Sequence, residues 1–301
     1  MKLAVVGLGL GFHLSWYLAL KGHDVHGVDL REEAFVGRTV DPRLDNVWKE
    51  QGTPPPVHIS PAFSTHFEYI AGCEYVFIFV STPFDRETER LSIRNVLDAI
   101  ASASAANPSA TYLILSTLPV GGMAEVRARF PDLRMFYCPP MVKKADFLAT
   151  FKNPPSGWQL IGRTGADIFP HDVMDLYVGL LDDPVRILVH EDRVVEAAKL
   201  CTNLLLATKI ILANAIGEWL GDPEVAREVC AIVEKDPRVG KGYLAPGGPA
   251  AGPCFPRDLI ELESASRSPL PGLPSTEGSV SLFKILAVLN RVNHTWELIE
   301  S

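Results

Sequence analysis

Lys2-Leu3-Ala4-Val5-Val6-Gly7-Leu8-Gly9-Leu10-Gly11-Phe12 stands at the head of the chain. A short, continuously apolar run ends in glycines at alternate positions and passes into a stretch with helical composition. A buried strand, a tight turn and a helix satisfy that order of residues. The turn leaves backbone N–H groups free at a helix start, where a pyrophosphate can sit, with Gly7, Gly9 and Leu10 supplying them. Asp29 closes the next apolar run, 22 residues after Gly7. A carboxylate there accepts the two hydroxyls of an adenosine ribose, which favours NAD, while Arg31 beside it offers an alternative for a 2′-phosphate. The third glycine of G-x-G-x-x-G belongs at position 12, where the chain has Phe12. A ring there is expected to push the helix off the sheet or force a local rearrangement.

The same opening also has the basic start and apolar run of a secretory leader. Its three glycines, His13 and the lack of a small-residue cleavage site argue for strand and helix instead. No other segment reads as long and apolar enough, without charge, to span a membrane.

Further along, apolar runs at Val25–Val28, Tyr75–Val80, Tyr112–Leu115, Met135–Tyr137, Gln159–Ile161 and Val185–Val189 alternate with helical patterns such as Ile93–Ala103 and Met123–Phe130. Unbroken apolar strands separated by helices predict a parallel sheet covered on both faces, a doubly wound Rossmann-type α/β domain over residues 1–190. Composition changes near His190. From Glu191 to Leu220 there is no proline, and only Gly217 interrupts an Ala/Leu/Lys/Glu-rich stretch. About 30 helical residues span roughly 45 Å, long enough to connect domains or form a dimer interface. Residues 191–301 are therefore expected to be an all-helical domain. A second helix starts at Asp222-Pro223 and runs to about Lys235, a Pro/Ser/Gly linker covers Ser268 to Gly278, and a last helix begins near Val280.

Acidic residues outnumber basic ones, giving a formal net charge of -8, which disfavours a nucleic-acid partner but not an anionic small molecule. Five scattered cysteines (Cys73, Cys138, Cys201, Cys230, Cys254) have neither a metal-ligand spacing nor an even count, as expected of a reducing, cytoplasmic compartment. Four of them read as inert buried thiols. Cys254 differs, because it lies in a Gly/Pro-rich loop four residues before Asp258.

These motifs, taken in order, resemble the nucleotide-sugar 6-dehydrogenase family of UDP-glucose, GDP-mannose and UDP-N-acetylhexosaminuronate dehydrogenases. Val80-Ser81-Thr82-Pro83 matches the strand-end Thr-Pro motif, and Ser116-Thr117-Leu118-Pro119-Val120-Gly121 the Ser-Thr-Val-Pro-x-Gly loop. Glu196, Lys199 and Asn203 match Glu-x-x-Lys-x-x-x-Asn; Pro246-Gly247 through Cys254-Phe255-Pro256-Arg257-Asp258 matches the glycine loop and Cys-Phe-Pro-Lys-Asp; Asn290 and Asn293 fall in the following helix. The resemblance implies oxidation of a sugar C6 alcohol to a carboxylate with two NAD, in a homodimer joined through the long helix. It places Ser81, Thr82, Pro83 and Thr117 on the cofactor side.

It also departs in three ways. The family carries a third, C-terminal domain, and this chain ends where that domain would begin. The family's Pro-Glu-Phe reads Pro139-Pro140-Met141, and Pro249 and Ala251 replace loop glycines. With Pro140 in place of a carboxylate that assists the thioester step, a slowed second oxidation or hydrolysis is expected.

The residue chemistry agrees with the resemblance. A thiolate at Cys254, beside cations in a partly exposed loop, adds to an aldehyde; hydride loss then leaves a thioester for water to cleave. Lys199 and Asn203 share a helix face with Glu196 one turn earlier. A lysine shielded from water transfers protons near neutral pH or stabilises an alkoxide, and Asn203 orients the hydroxyl or a water. The plain alternative for this face is a solvated Glu–Lys pair beside a packing asparagine. Asp258 accepts a proton through water or caps a helix; Thr117 holds a catalytic water or only shapes a turn. Lys143, Lys144 and Arg238 are loop charges placed to meet a phosphate. Two other readings remain open: a two-electron dehydrogenase of a small hydroxy acid or alcohol, which needs no cysteine, and a non-catalytic NAD-binding protein.

Overall fold

The computed structural model describes residues 1–38, 60–143, 146–165, 169–182, 185–252 and 254–267. Lys144, the Ser268–Gly278 linker, the helix expected from Val280, Asn290 and Asn293 lie outside the described residues. The chain divides into two compact units: Met1–Thr82 with Ile93–Ala197, and Pro83–Ser92 with the chain from Ala198 onward.

The first unit is a doubly wound α/β structure. Its strands are β1 (Lys2–Val6), β2 (Asp24–Val28), β3 (Ala62–Ser64), β4 (Tyr75–Ile78), β7 (Thr111–Ile114), β8 (Met135–Tyr137), β9 (Trp158–Arg163) and β10 (Arg186–Glu191). They form one sheet in the order β10-β9-β8-β7-β4-β1-β2-β3. Every residue of β4, β7 and β8 is buried, which is why those strands read as unbroken apolar runs. The helices of this unit are α1 (Gly11–Leu20), α2 (Arg94–Ala106), α3 (Gly122–Arg129), α4 (Phe147–Lys152) and α5 (His171–Leu180). Neighbouring pairs are parallel except β8 with β9, which meet antiparallel at Tyr137 and Gly162. Chain order reverses about β1, between β2 and β4, which is the topological switch point where open α/β sheets bind ligands.

Phe12 does not push α1 away from the sheet. Gly11 makes the close approach instead: a Cβ there would lie 2.9 Å from Val5 Cγ1. Phe12 is buried and stacks on Phe63 of β3, with centroids 5.2 Å apart. Gly27 makes room for Phe63, since a Cβ on it would fall 2.4 Å from that ring. Thus a glycine on β2 compensates for the ring that interrupts the turn motif.

The second unit contains α6 (Asp192–Leu220), which begins in the first unit and continues through this one, with α7 (Pro223–Val233) and α8 (Phe255–Arg267). A hairpin, β5 (Phe84–Asp85) with β6 (Arg90–Leu91), belongs here too. Leu91 N donates to Glu261 Oε2 on α8 at 2.5 Å. Asp222 caps α7 by accepting from Glu224 N and Val225 N, with Pro223 in the first turn, as the sequence signal requires.

By length and composition α6 could cross a membrane, with a mean hydropathy of 1.5 over 18 residues, contrary to the reading that no segment beyond the N-terminus would qualify. That reading gave weight to the charged residues, and three of those in α6 are engaged within protein, while Arg193 and Glu218 are exposed. Lys209 donates to Gly240 O and Gly242 O and pairs with Glu234, while Glu196 and Lys199 are buried.

Candidate active site

The carboxyl ends of β1, β2, β4 and β7 carry the residues the sequence assigns to a dinucleotide. Gly7 has φ +94, and a Cβ on it would lie 2.6 Å from Phe79 O, so only glycine fits. Nothing lies within 4 Å of a Cβ built on Gly9, so the backbone there is open to approach. Leu10 precedes the first turn of α1, whose N-terminus has no side-chain cap. Asp29 accepts from Leu8 N (2.8 Å) and Arg31 N (3.1 Å), which orients its carboxylate at the turn. The Arg31 side chain is mostly exposed, 3.6 Å from Asp29 Oδ1. A cradle that excludes a Cβ at Gly7, open backbone at Gly9 and an anchored carboxylate fit a dinucleotide.

The sequence reading missed Arg38. Its Nη1 donates to Leu8 O (2.6 Å) and Gly9 O (3.1 Å), and its guanidinium lies 4.5 Å over the Phe12 ring. No local motif marks its tie to the turn, because those two carbonyls are 29 and 30 residues away; a third bond goes to Ala34 O (3.1 Å).

The loops after β4 and β7 are tied together. Ser116 Oγ accepts from Val80 N (2.9 Å) and donates to Val80 O (2.8 Å), and Thr82 Oγ1 donates to Thr117 O (2.8 Å). Asn95 Nδ2 donates to Ser81 O at 2.9 Å. Ser81, Thr82, Pro83 and Thr117 therefore follow strand ends in bonded loops.

In the second unit four assigned residues come together. Lys199 and Asn203 project from α6. Cys254 is the N-cap of α8: its carbonyl accepts the first helical bond from Asp258 N (2.9 Å), and its side chain is exposed. An anion at that place meets the positive end of the helix dipole. Asp258 is fully buried and doubly held, with Asn203 Nδ2 2.6 Å from Oδ2, and Arg257 Nε and Nη2 2.8 and 2.7 Å from Oδ1. Lys199 is 8% exposed. Burial holds its amine below the ordinary lysine value; the charges of Asp258 and Cys254 oppose that, and Arg257 reinforces it. Arg257 was not singled out in the sequence, although it adjoins Asp258.

The glycine loop between α7 and α8 is anchored from α6. Asn214 accepts from Gly247 N (3.0 Å) and donates to Gly248 O (2.8 Å). Leu244 N donates to Glu234 at 2.9 Å. Tyr243 holds a left-handed backbone, φ +71, and its ring meets Phe255 edge-on at 6.1 Å.

The solvated Glu–Lys pair is not formed. Glu196 is 1% exposed and accepts from Gly121 N and Met123 N instead. Lys143 stands on an exposed loop in the first unit, and Arg238 is exposed and bonded to Asp236 (3.0 Å).

Comparison with known proteins adds a family. Residues 193–274 match the model for the UDP-glucose/GDP-mannose dehydrogenase family, central domain. The chain is 26% identical over 282 residues to a UDP-glucose 6-dehydrogenase of Streptococcus pneumoniae, covering 89% of this chain and 69% of that protein. It is 26% identical over 279 residues to the Rhizobium meliloti UDP-glucose 6-dehydrogenase, spanning 87% of this chain and 62% of that protein. A UDP-glucose dehydrogenase structure from the archaeon Pyrobaculum islandicum superposes with a TM-score of 0.75 at 23% identity, over 97% of this chain and 68% of that one, which shows the shared fold. Residues 193–274 thus match the central domain of the UDP-glucose/GDP-mannose dehydrogenases, and the 3-2-1-4 sheet order and 29-residue connecting helix make the whole chain similar in fold to those proteins.

Proposed function

We propose that the chain oxidises the primary alcohol of a nucleotide-linked sugar, with NAD as acceptor, through a covalent thioester at Cys254. The observation that carries this reading is the cluster of Cys254, Asp258, Asn203 and Lys199 in one unit. NAD, when bound, supplies the hydride acceptor for two successive two-electron oxidations. Gly9 and Leu10 would receive its pyrophosphate, Gly7, whose N–H is bonded to Val28 O (2.8 Å), would shape the turn that admits it, and Asp29 would take the ribose, with Arg31 at the rim; Ser81, Thr82, Pro83 and Thr117 would line the nicotinamide side.

The chain's own groups then have distinct work. The Lys199 amine, already disposed to lose its proton, takes the hydroxyl proton as the alcohol becomes an aldehyde. Asn203 orients that hydroxyl. The Cys254 sulfur adds to the aldehyde carbon, and Lys199 returns a proton to the resulting alkoxide. Loss of the second hydride, with that proton, leaves a thioester. Water, held at Thr117, cleaves the C–S bond, releasing the carboxylate and the thiol. Asp258, clamped by Arg257 and Asn203, acts as a fixed negative charge that orients this face. Lys143, Lys144 and Arg238 remain candidates for the substrate phosphates.

The test counts NADH per sugar on a panel of UDP- and GDP-sugars. Wild type is expected to form two NADH per carboxylate. Cys254→Ser is expected to form no acid and at most one NADH. One NADH per product in wild type, with free aldehyde accumulating, overturns the four-electron reading and favours a two-electron dehydrogenase.

A homodimer through α6 belongs to the same reading. Leu205, Leu212 and Trp219 recur every seven residues and are 64%, 53% and 80% exposed. Ala198 extends that series toward the start of the helix, and Cys201, Thr208 and Ala215 interleave with it at the alternate spacing of a heptad, a seam suited to a second copy of the helix.

A further inference from the structure

Gly121, the N-cap of α3, has φ +88, and that helix end has no side-chain cap of its own. Its amides are met by a residue 75 positions away. Glu196 Oε2 accepts from Gly121 N at 2.7 Å, and Oε1 accepts from Met123 N at 2.6 Å. Both oxygens of a carboxylate that is 1% exposed are thus committed to one helix end, where the helix dipole also favours an anion.

The loop that leads into this helix end is Thr117–Gly121. Its other ties are neutral: Thr117 O accepts from Thr82 Oγ1, Leu118 N donates to Tyr137 OH (3.3 Å), and Gly122 N bonds Pro119 O (2.9 Å). Glu196 is the charged group among them, and it lies on α6 one turn before Lys199.

We propose that Glu196 is a positioning residue for the Thr117 loop: from the second turn of α6 its carboxylate grips the amide end of α3 and holds that loop in one conformation. The charged groups facing it are Asp192 on α6, itself paired with Arg127 of α3 at 2.8 Å, and Glu125 of α3. Burial pushes the Glu196 carboxyl up to about 7, against the two amides that pull it down, and Asp192 and Glu125 raise it further. Near neutral pH a single proton therefore converts a two-armed anionic acceptor into a carboxyl group that satisfies one amide and has lost its attraction to the helix end. The functional half of this inference rests on the role proposed above for Thr117.

Residue-resolved amide exchange of the full chain, normalised for intrinsic rates, tests the grip. For local release of the helix end, in which Glu196 stays buried and loses only its two amides, protection of Gly121 and Met123 is expected to be tenfold or more higher at pH 8.5 than at pH 6. Glu196→Gln is expected to show the lower level at both. Equal protection at the two pH values in wild type overturns the proposal, and that measurement decides the grip even if the variant does not fold. Steady-state kinetics test the positioning. In Glu196→Gln, kcat is expected to fall about tenfold at pH 8.5 with KM unchanged, and the wild-type decline in kcat below pH 7 is expected to vanish. Exchange that responds while kcat does not reduces Glu196 to a packing role and sinks the positioning claim. No wild-type turnover on any nucleotide sugar sinks the proposed function instead, leaving the grip to the exchange data.

Discussion

Asn203 Nδ2 lies 2.6 Å from Asp258 Oδ2, a bond that joins the middle of α6 to the first turn of α8. Arg257 occupies the other oxygen, so a fully buried carboxylate is compensated on both sides. Asp258→Asn leaves the guanidinium facing an amide and is expected to cost about 3 kcal/mol of stability. Asn203→Ala removes one bond and is expected to cost about 1–2 kcal/mol. Urea unfolding of both variants and of the double variant measures the coupling, and independent, additive effects would mean the bond contributes nothing.

The two turn glycines should respond differently. Gly7→Ala meets a carbonyl oxygen at 2.6 Å in a left-handed conformation and is expected to lose about 2–4 kcal/mol. Gly9→Ala meets no protein atom within 4 Å, so its melting temperature should stay at the wild-type value. Its methyl group points at the place proposed for the pyrophosphate, and calorimetry should show NAD affinity reduced at least tenfold. Unchanged affinity would remove Gly9 from the cofactor site.

Stability should depend on pH through Glu196. Its folded value, about 7, lies above the ordinary 4.5, so the folded chain binds the proton more tightly than the unfolded chain. The associated stabilisation is complete below about 4.5 and is lost as pH rises through 7. Relative to Glu196→Gln, wild type is expected to lose about 2–3 kcal/mol between pH 5 and 8. Parallel stability curves from urea titration at several pH values would contradict this.

The exposed seam of α6 predicts an assembly. Leu212→Asp places a charge in the middle of the stripe and is expected to convert a dimer to a monomer by light scattering, with the circular dichroism of the fold retained. A wild-type chain that is monomeric at micromolar concentration would refute the seam.

Much of the fold is legible in composition. Seven apolar runs correspond to β1, β2, β4, β7, β8, β9 and β10, most plainly at β4, β7 and β8, where every residue is buried and apolar side chains dominate both faces. β3 (Ala62-Phe63-Ser64) and the β5–β6 hairpin (Phe84-Asp85, Arg90-Leu91) escaped notice, since they are short and, unlike the three-residue β8, contain polar residues that break an apolar run. The antiparallel meeting of β8 and β9 was also hidden, because strand direction leaves no mark on composition.

The site was legible where chemistry is local. Gly7 and Asp29 are recognisable because a tight turn and the end of the next strand fix their spacing. The role of Glu196 was not legible, and a surface pair with Lys199 stood as the alternative, because its partners, Gly121 N and Met123 N, lie at the start of another helix. Arg38 and Arg257 were passed over because an arginine's partner is chosen by packing. Phe12 looked like a defect until Gly27 and Phe63 supplied the space and the ring that accommodate it.

By itself the chain of letters determined which segments are strands and helices, where the glycine turn falls and which residue types are available for chemistry. These follow from local sterics and from the periodicity with which apolar groups must recur. Only the tertiary structure decided which charge meets which partner, that Asp258 is clamped and that Glu196 serves a helix end. Those outcomes depend on distances between segments far apart in the chain, where a carboxylate removed from water must take whatever donors the packing brings to it.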